Sequence, residues 1–278
     1  MALGLFSAVT LAAANMSVKM GADILLGRAI LSCSAALIVM PFAFVVPVPD
    51  TATFQALLIA MPAHFAYQLC LVRAMQRGDL SLVFPVMRGL APLLTAVSVM
   101  VFVGQHLSLI AWIGLAVATA SVIAFAWPPK GVWLHHHPDR AALGWALATA
   151  VGVSLYNAAD TNGVHVAPTP QTFIVWLFMA DAILISVTTI VLRRNLVERI
   201  RASNWHYGVV AGGLSVLSFG AALYAFSLTE TARVSALRET SVVLAALMGQ
   251  RFLGESFGPK RIIAASTLAA GLIVMQFG

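Results

Sequence analysis

"SLVFPVMRGLAPLLTAV", residues 81–97, is almost entirely apolar yet carries an arginine, Arg88, near its middle. A second apolar run, "ARVSALRETSVVLAALM" (232–248), sets Arg238 at the matching place, 150 residues further on. The register then continues without a gap. "VGQHLSLIAWIGLAVATASVIAF" (103–125) aligns with "LGESFGPKRIIAASTLAAGLIVM" (253–275), so that Phe102 meets Phe252, Gly104 meets Gly254 and Ile123 meets Ile273. A fainter echo joins Asn15 in "AAANMSV" to Asn157 in "SLYNAAD". A charged residue repeated in register within apolar sequence points to an internal repeat whose arginines have a common purpose.

The composition says what surrounds these runs. Of the 278 residues, 60% are hydrophobic and only 9% are charged, against about a quarter charged in a soluble domain. So few charges cannot cover a water-facing surface, and the solvent for most of the chain is lipid. A helix crosses the hydrocarbon with about 20 apolar residues. Ten such runs are predicted, at 2–18, 24–46, 53–74, 80–102, 107–127, 141–161, 170–192, 205–227, 232–252 and 258–277. The fold class expected is all-α integral membrane, ten transmembrane helices in one membrane domain. The first five spans make one repeat (1–128), a connecting loop follows (129–138), and the last five make the second (139–278). An odd number of spans returns the chain to the opposite side, so the second repeat is inverted relative to the first. Inverted repeats characterise secondary transporters, which bind substrate near the midplane between repeats.

Charge placement gives an orientation. Lys19, Arg77, Lys130, Arg140, Arg193, Arg194, Arg199, Arg201, Arg251, Lys260 and Arg261 all fall in odd-numbered connections, and of the even ones only the eighth has a basic residue, Arg233. The enrichment of Lys and Arg in cytoplasmic loops places both termini outside the cytoplasm. Met1 runs directly into apolar sequence with Lys19 after it, the reverse of a cleaved signal's charge order, so the first segment is expected to stay as a helix. Cys33 and Cys70 fall inside spans and are read as packing residues. The net charge of +6 is spread through loops, with no basic stripe interleaved with aromatics, so a nucleic-acid partner is rejected.

The strings "RAMQRGDLSLVFPVMRGLAPLLTA…GQHLS" (73–108) and "ARVSALRETSVVLAALMGQRFLGESFGPKR" (232–261) resemble the fourth-to-fifth and ninth-to-tenth span motifs of EamA-type proteins in the drug/metabolite transporter superfamily. Asn15 and Lys19 are similar to the Asn and Lys of a "HAxWNxxxK" pattern in some relatives, with Leu11 and Ala14 standing where His and Trp would be. The resemblance implies ten helices around a central cavity and efflux of amino acids or similar metabolites, in a bacterial inner membrane. The superfamily contains both orientations; the arginines of this chain decide the one expected here.

Candidate site residues follow from the cost of polarity in lipid. Arg88 lies about 12 Å and Arg238 about 9 Å into its span at 1.5 Å per residue. A central arginine costs on the order of 2.5–3.5 kcal/mol on insertion scales, against about 0.3–0.6 kcal/mol contributed by each flanking Leu or Val. Both are therefore expected to face the bundle interior, either holding helices together or meeting substrate. A guanidinium grips a carboxylate through two parallel hydrogen bonds and keeps its charge at any working pH. Glu239 could meet an ammonium or answer Arg88. Tyr156, Asn157 and Asp160, in "YNAADTNG", add hydrogen bonds and charge towards the end of the sixth span. His64, Tyr67 and Gln68 sit at i, i+3 and i+4 and share one helical face; Asn15 and Tyr224 complete the set. Asp181, mid-span in the seventh, could bind a proton, a cation or a neighbouring helix, and the helix contact is favoured. Pro62 and Pro85 free helical carbonyls.

Other signals are discounted. "HHHPD" (135–139) lacks supporting Cys or carboxylate geometry for a metal, and no cofactor is expected. Asp79 reads as an N-cap, and Trp127, Trp133 and Trp205 as interfacial anchors. The Gly-, Ala- and Ser-rich faces of the fifth and tenth spans permit close approach, as a dimer seam or as internal packing. "GxxxxGK[ST]", "GxSxG" and "HExxH" are absent. The expected function is a secondary transporter, not an enzyme, exporting amino acids or related carboxylates by alternating access, as a monomer or homodimer. The alternatives are an exporter of hydrophobic cations or drugs, a polytopic membrane enzyme and a non-transporting partner subunit. The first alternative wants a membrane carboxylate in the first span, which has none.

Overall fold

The computed structural model describes residues 1–19, 23–77, 80–126, 140–244 and 259–277. Eleven α-helices occur among them: α1 Ala2–Lys19, α2 Ile24–Val39, α3 Thr51–Arg77, α4 Leu80–Val103, α5 Leu109–Ala126, α6 Arg140–Val166, α7 Pro170–Leu192, α8 Leu196–Ala202, α9 Trp205–Phe226, α10 Thr231–Arg238 and α11 Pro259–Phe277. A 3₁₀ turn at Met40–Phe44 extends α2, and no strand occurs among the described residues. Six segments are long and apolar enough to cross a bilayer: Leu25–Phe44, Thr51–Arg77, Val86–Val103, Arg140–Val166, Pro170–Leu192 and Trp205–Phe226. Shorter apolar helices cover Ala2–Ala14, Leu109–Ala124 and Ile262–Phe277. The chain is a multi-pass integral membrane protein.

Two departures from the expected spans have physical reasons. The ninth run, read as continuous over 232–252, is interrupted: α10 stops at Arg238, and helix resumes at Thr240. The other departure is α8, in the seventh connection. It is too short to show a transmembrane pattern, and its arginines, Arg199 and Arg201, had registered only as loop charge.

The helices form two compact units, each drawing on both halves of the chain. The first comprises Met1–Phe65 and Ala159–Leu228. Here α1 packs on α9 and α2 packs on both α7 and α9. Ser218 on α9 donates to the Ser7 carbonyl on α1 at 2.8 Å, linking two helices through groups that lipid would leave unsatisfied. Gly212 lets α9 press against α2, since a Cβ there would come within 2.8 Å of the Leu31 carbonyl oxygen. Asp23 caps α2 by accepting from the Leu25 and Leu26 amides and pairs with Arg193 at 3.1 Å. That pair ties the start of α2 to the end of α7.

The second unit comprises Ala66–Ala158 and Thr229–Gly278. Its core joins α5 to α11 through Leu115, Ala118, Val122, Leu268, Leu272 and Met275. The contact is backbone to backbone: a Cβ on Gly114 would stand 2.4 Å from the Met275 nitrogen, and one on Gly271 2.7 Å from the Ala118 nitrogen. The glycine-rich faces of these two helices thus serve internal packing. Gly104, at φ +78°, turns the chain out of α4 in the left-handed region that favours glycine. The next residue, Gln105, uses its side-chain carbonyl to accept from the Thr231 amide at 3.0 Å, capping α10. Arg233, the single basic residue of the even connections, donates to the Met275 and Gln276 carbonyls at 2.5 and 2.8 Å. It closes the open end of α11, which explains its place against the charge bias.

Candidate functional site

The break in α10 positions the centre of the second unit. "RETS" (238–241) is a poor helix interior, because the Thr240 hydroxyl donates back to the Leu237 carbonyl at 2.7 Å and competes with the backbone pattern. Around Glu239 the bonds shorten to i→i+3: its amide reaches the Ala236 carbonyl, and the Val242 amide reaches its own carbonyl, both at 3.0 Å. Arg238 and Glu239 therefore sit at a discontinuity within a buried segment, each under a tenth exposed.

Arg88 on α4 answers them. Its Nη1 lies 3.5 Å from Glu239 Oε1 and its Nη2 donates to Ser241 Oγ at 3.2 Å. The side chains are 15% and 4% exposed, so the pair is sheltered from bulk solvent. Arg238 lies within electrostatic reach of Arg88, Glu239, Tyr67 and Tyr156. Glu239 Oε2 is buried and accepts no hydrogen bond from any described residue.

Aromatic and amide groups of α3 and α6 complete this cluster within the same unit. Tyr67 and Tyr156 meet edge to face with ring centroids 5.0 Å apart. Gly152 lets their helices approach, since a Cβ there would be 3.1 Å from the Tyr67 Cα. Asn157 Nδ2 donates to Thr95 Oγ1 at 3.0 Å, and the Ser98 and Ser154 hydroxyls are hydrogen-bonded. Gln68 is buried in the same unit.

A second polar cluster lies in the first unit. His64 Nε2 faces both oxygens of Asp160, at 3.1 and 2.9 Å, and Asp160 has no exposed surface. The Phe219 ring meets His64 edge-on, centroids 5.5 Å apart. Asp181 also acts electrostatically on His64, and its Oδ2 accepts from Ser32 Oγ at 3.1 Å. The helix contact expected of Asp181 is thus the one to α2.

Of the sequence candidates, Arg88, Arg238, Glu239, Tyr67, Gln68, Tyr156 and Asn157 fall in the second unit, and His64 and Asp160 in the first. The face shared by His64, Tyr67 and Gln68 is divided: the histidine turns to a carboxylate and the tyrosine to another tyrosine. Tyr224 is 38% exposed on α9. Asn15 lies on α1, with its side chain outside the described residues, as are Pro85's side chain and the whole of Asp79, Trp127, Trp133 and the histidine run 135–137. Sequence reasoning missed Ser241 and Thr95. Thr95 lies two helical turns from Arg88, on the same face, and Ser241 is three residues beyond Arg238. Among the described residues no group of three or more His, Cys, Asp or Glu could hold a metal ion.

Residues 140–277, which carry Tyr156, Asn157, Asp160, Arg238 and Glu239, match the EamA-like transporter family. The likeness to the EamA-like transporter family is thus carried by the second half of the chain. A solved crystal structure of a protein matches 99% of this chain and 96% of its own, with a TM-score of 0.78 at 16% identity. At that identity the match establishes shared architecture alone. EamA-like proteins are transporters, and the buried charges lie in a membrane protein that shares that likeness.

Proposed function

We propose that this EamA-like protein exports amino acids, or similar small metabolites bearing a carboxylate, by alternating access. The observation that carries the reading is the Arg88–Glu239–Arg238 cluster, two guanidinium groups and a carboxylate largely sheltered from solvent in one unit. An α-amino acid fits it in two ways. Its carboxylate suits the guanidinium forks, and its ammonium suits Glu239 Oε2, the carboxylate oxygen that accepts no described hydrogen bond. Tyr67 and Tyr156 supply an aromatic surface tolerant of varied side chains.

Two inverted five-helix repeats, 1–128 and 139–278, with ten spans around a central cavity, are part of the same proposal. The pairing of helices supports it. Within their units α2 packs on α7, α4 on α10 and α5 on α11, and each pair joins the corresponding helices of the two halves. Export, both termini outside the cytoplasm of a bacterial inner membrane, and a monomer or homodimer complete the proposal. The test is counterflow in proteoliposomes with a mixture of labelled amino acids. Exchange is expected in the native chain and its loss in R88Q and R238Q; well-inserted native protein with no exchange refutes the amino-acid assignment.

A further inference from the structure

We propose that the connection between α7 and α9, with α8 at its centre, is a binding surface for the headgroups of anionic phospholipids. The inference rests on the membrane location of the chain and not on the transporter reading. Pro170–Leu192 and Trp205–Phe226 are both long and apolar enough to cross a bilayer, so residues 193–204 between them lie at its surface. Apolar side chains run up to that level: Val191 and Leu192 are exposed at the end of α7. Trp205 is exposed at the start of α9, and indoles favour the headgroup level. Asn195, at φ 58° in the left-handed region that asparagine tolerates, separates α8 from α7. The connection carries Arg193, Arg194, Arg199 and Arg201 against a single acidic residue, Glu198.

The pattern along α8 fits a helix lying in the membrane surface. At about 100° per residue, Leu196, Val197 and Ile200 fill one side, Arg199 and Arg201 stand on its two flanks, and Glu198 lies opposite. Such a side dips into the acyl boundary while the basic side chains reach the headgroups. The protein does not cover it: no residue of α8 is buried, and Val197 is 62% exposed. A helix of seven residues is too short to persist in water unaided, and a lipid boundary supports it. The charges are also available. Asp23 is held by Arg193, whose Nη2 donates to it at 3.2 Å, and lies 3.8 Å from Arg199 Nη1. Arg194 and Arg201 are exposed and make no ion pair among the described residues. Phosphate oxygens suit guanidinium forks. A zwitterionic headgroup brings its own cation to that phosphate, so the net-anionic lipid is the one favoured.

The test reconstitutes the full chain in vesicles of equal phosphatidylglycerol and phosphatidylcholine, extracts it in mild detergent and counts the retained lipids by native mass spectrometry. The native protein should retain phosphatidylglycerol in preference, and less of it as salt is raised. Each arginine near an anionic surface is worth about fivefold, so R194Q/R201Q, which breaks no described ion pair, should cut the preference roughly 25-fold. If that pair folds poorly, R201Q alone should cut it about fivefold. R77Q/R140Q removes the same charge from exposed positions elsewhere and should leave the preference unchanged. E198Q should raise it. Equal retention of the two lipids by the native chain, or an equal fall in both double variants, overturns the site. Displacement of the lipid by inorganic phosphate at constant ionic strength marks a site for soluble anions and overturns the lipid assignment.

Discussion

Replacing Glu239 with glutamine tests the charge arrangement most directly. The substitution keeps the shape and removes the carboxylate that Arg88 faces. At 3.5 Å the lost attraction is about 5 kcal/mol for an effective dielectric near 20. Desolvation of the ionised pair offsets part of that in the native protein, but removing one partner of a buried pair strands the other and costs about 3–5 kcal/mol. For a chain of this size each kcal/mol moves the melting temperature by roughly 2–4 °C, so E239Q should melt roughly 10 °C below native protein. The assay is thermal unfolding of detergent-purified protein followed by tryptophan emission. The double variant R88Q/E239Q restores the charge balance and should recover more than half of the loss. An E239Q protein as stable as the native one, or a double variant worse than E239Q alone, would refute the argument.

Three further outcomes follow from the packing and the caps. G114V should fail to accumulate as folded protein, because its side chain meets the Met275 backbone, whereas G144A, with open space around its Cβ, should be neutral or slightly stabilising; size-exclusion profiles distinguish them. R233A should lower stability by about 2 kcal/mol through loss of charged hydrogen bonds and speed amide exchange in the last turn of α11. Asp50 caps α3, and hydrogen bonds from the side chain and then the backbone of Thr53 hold its carboxyl below its ordinary value. A depressed folded value means that its stabilisation is complete above the ordinary carboxylate range and is lost as pH falls through the lowered one. The melting difference between native protein and D50A should therefore be present at neutral pH and close in acid.

Six of the spans and the sheltered arginines were legible because lipid imposes one rule, that backbone polarity be satisfied within the segment and charge be kept from acyl chains. That rule acts on composition alone, and it made Arg88 and Arg238 conspicuous. Partners were harder to read. Glu239 could be given either an ammonium or Arg88, and the contact at 3.5 Å arises from the break in α10, which depends on a hydroxyl's local bonding rather than on hydropathy. His64 shared a predicted face with Tyr67 and Gln68, but a face records direction only, and Asp160 lies 96 positions away. Arg233 looked like an exception to the loop charges until its carbonyl partners, some 42 residues later, gave it a structural task.

The seam between α5 and α11 has a mechanical consequence. Where Gly114 and Gly271 bring main chain against main chain, no side chain remains to change rotamer and absorb a slide, and a shift of one residue would drive a methyl-bearing carbon into the opposing peptide. These two helices must move as a single strut, so any bending of the chain has to be borne by more yielding segments.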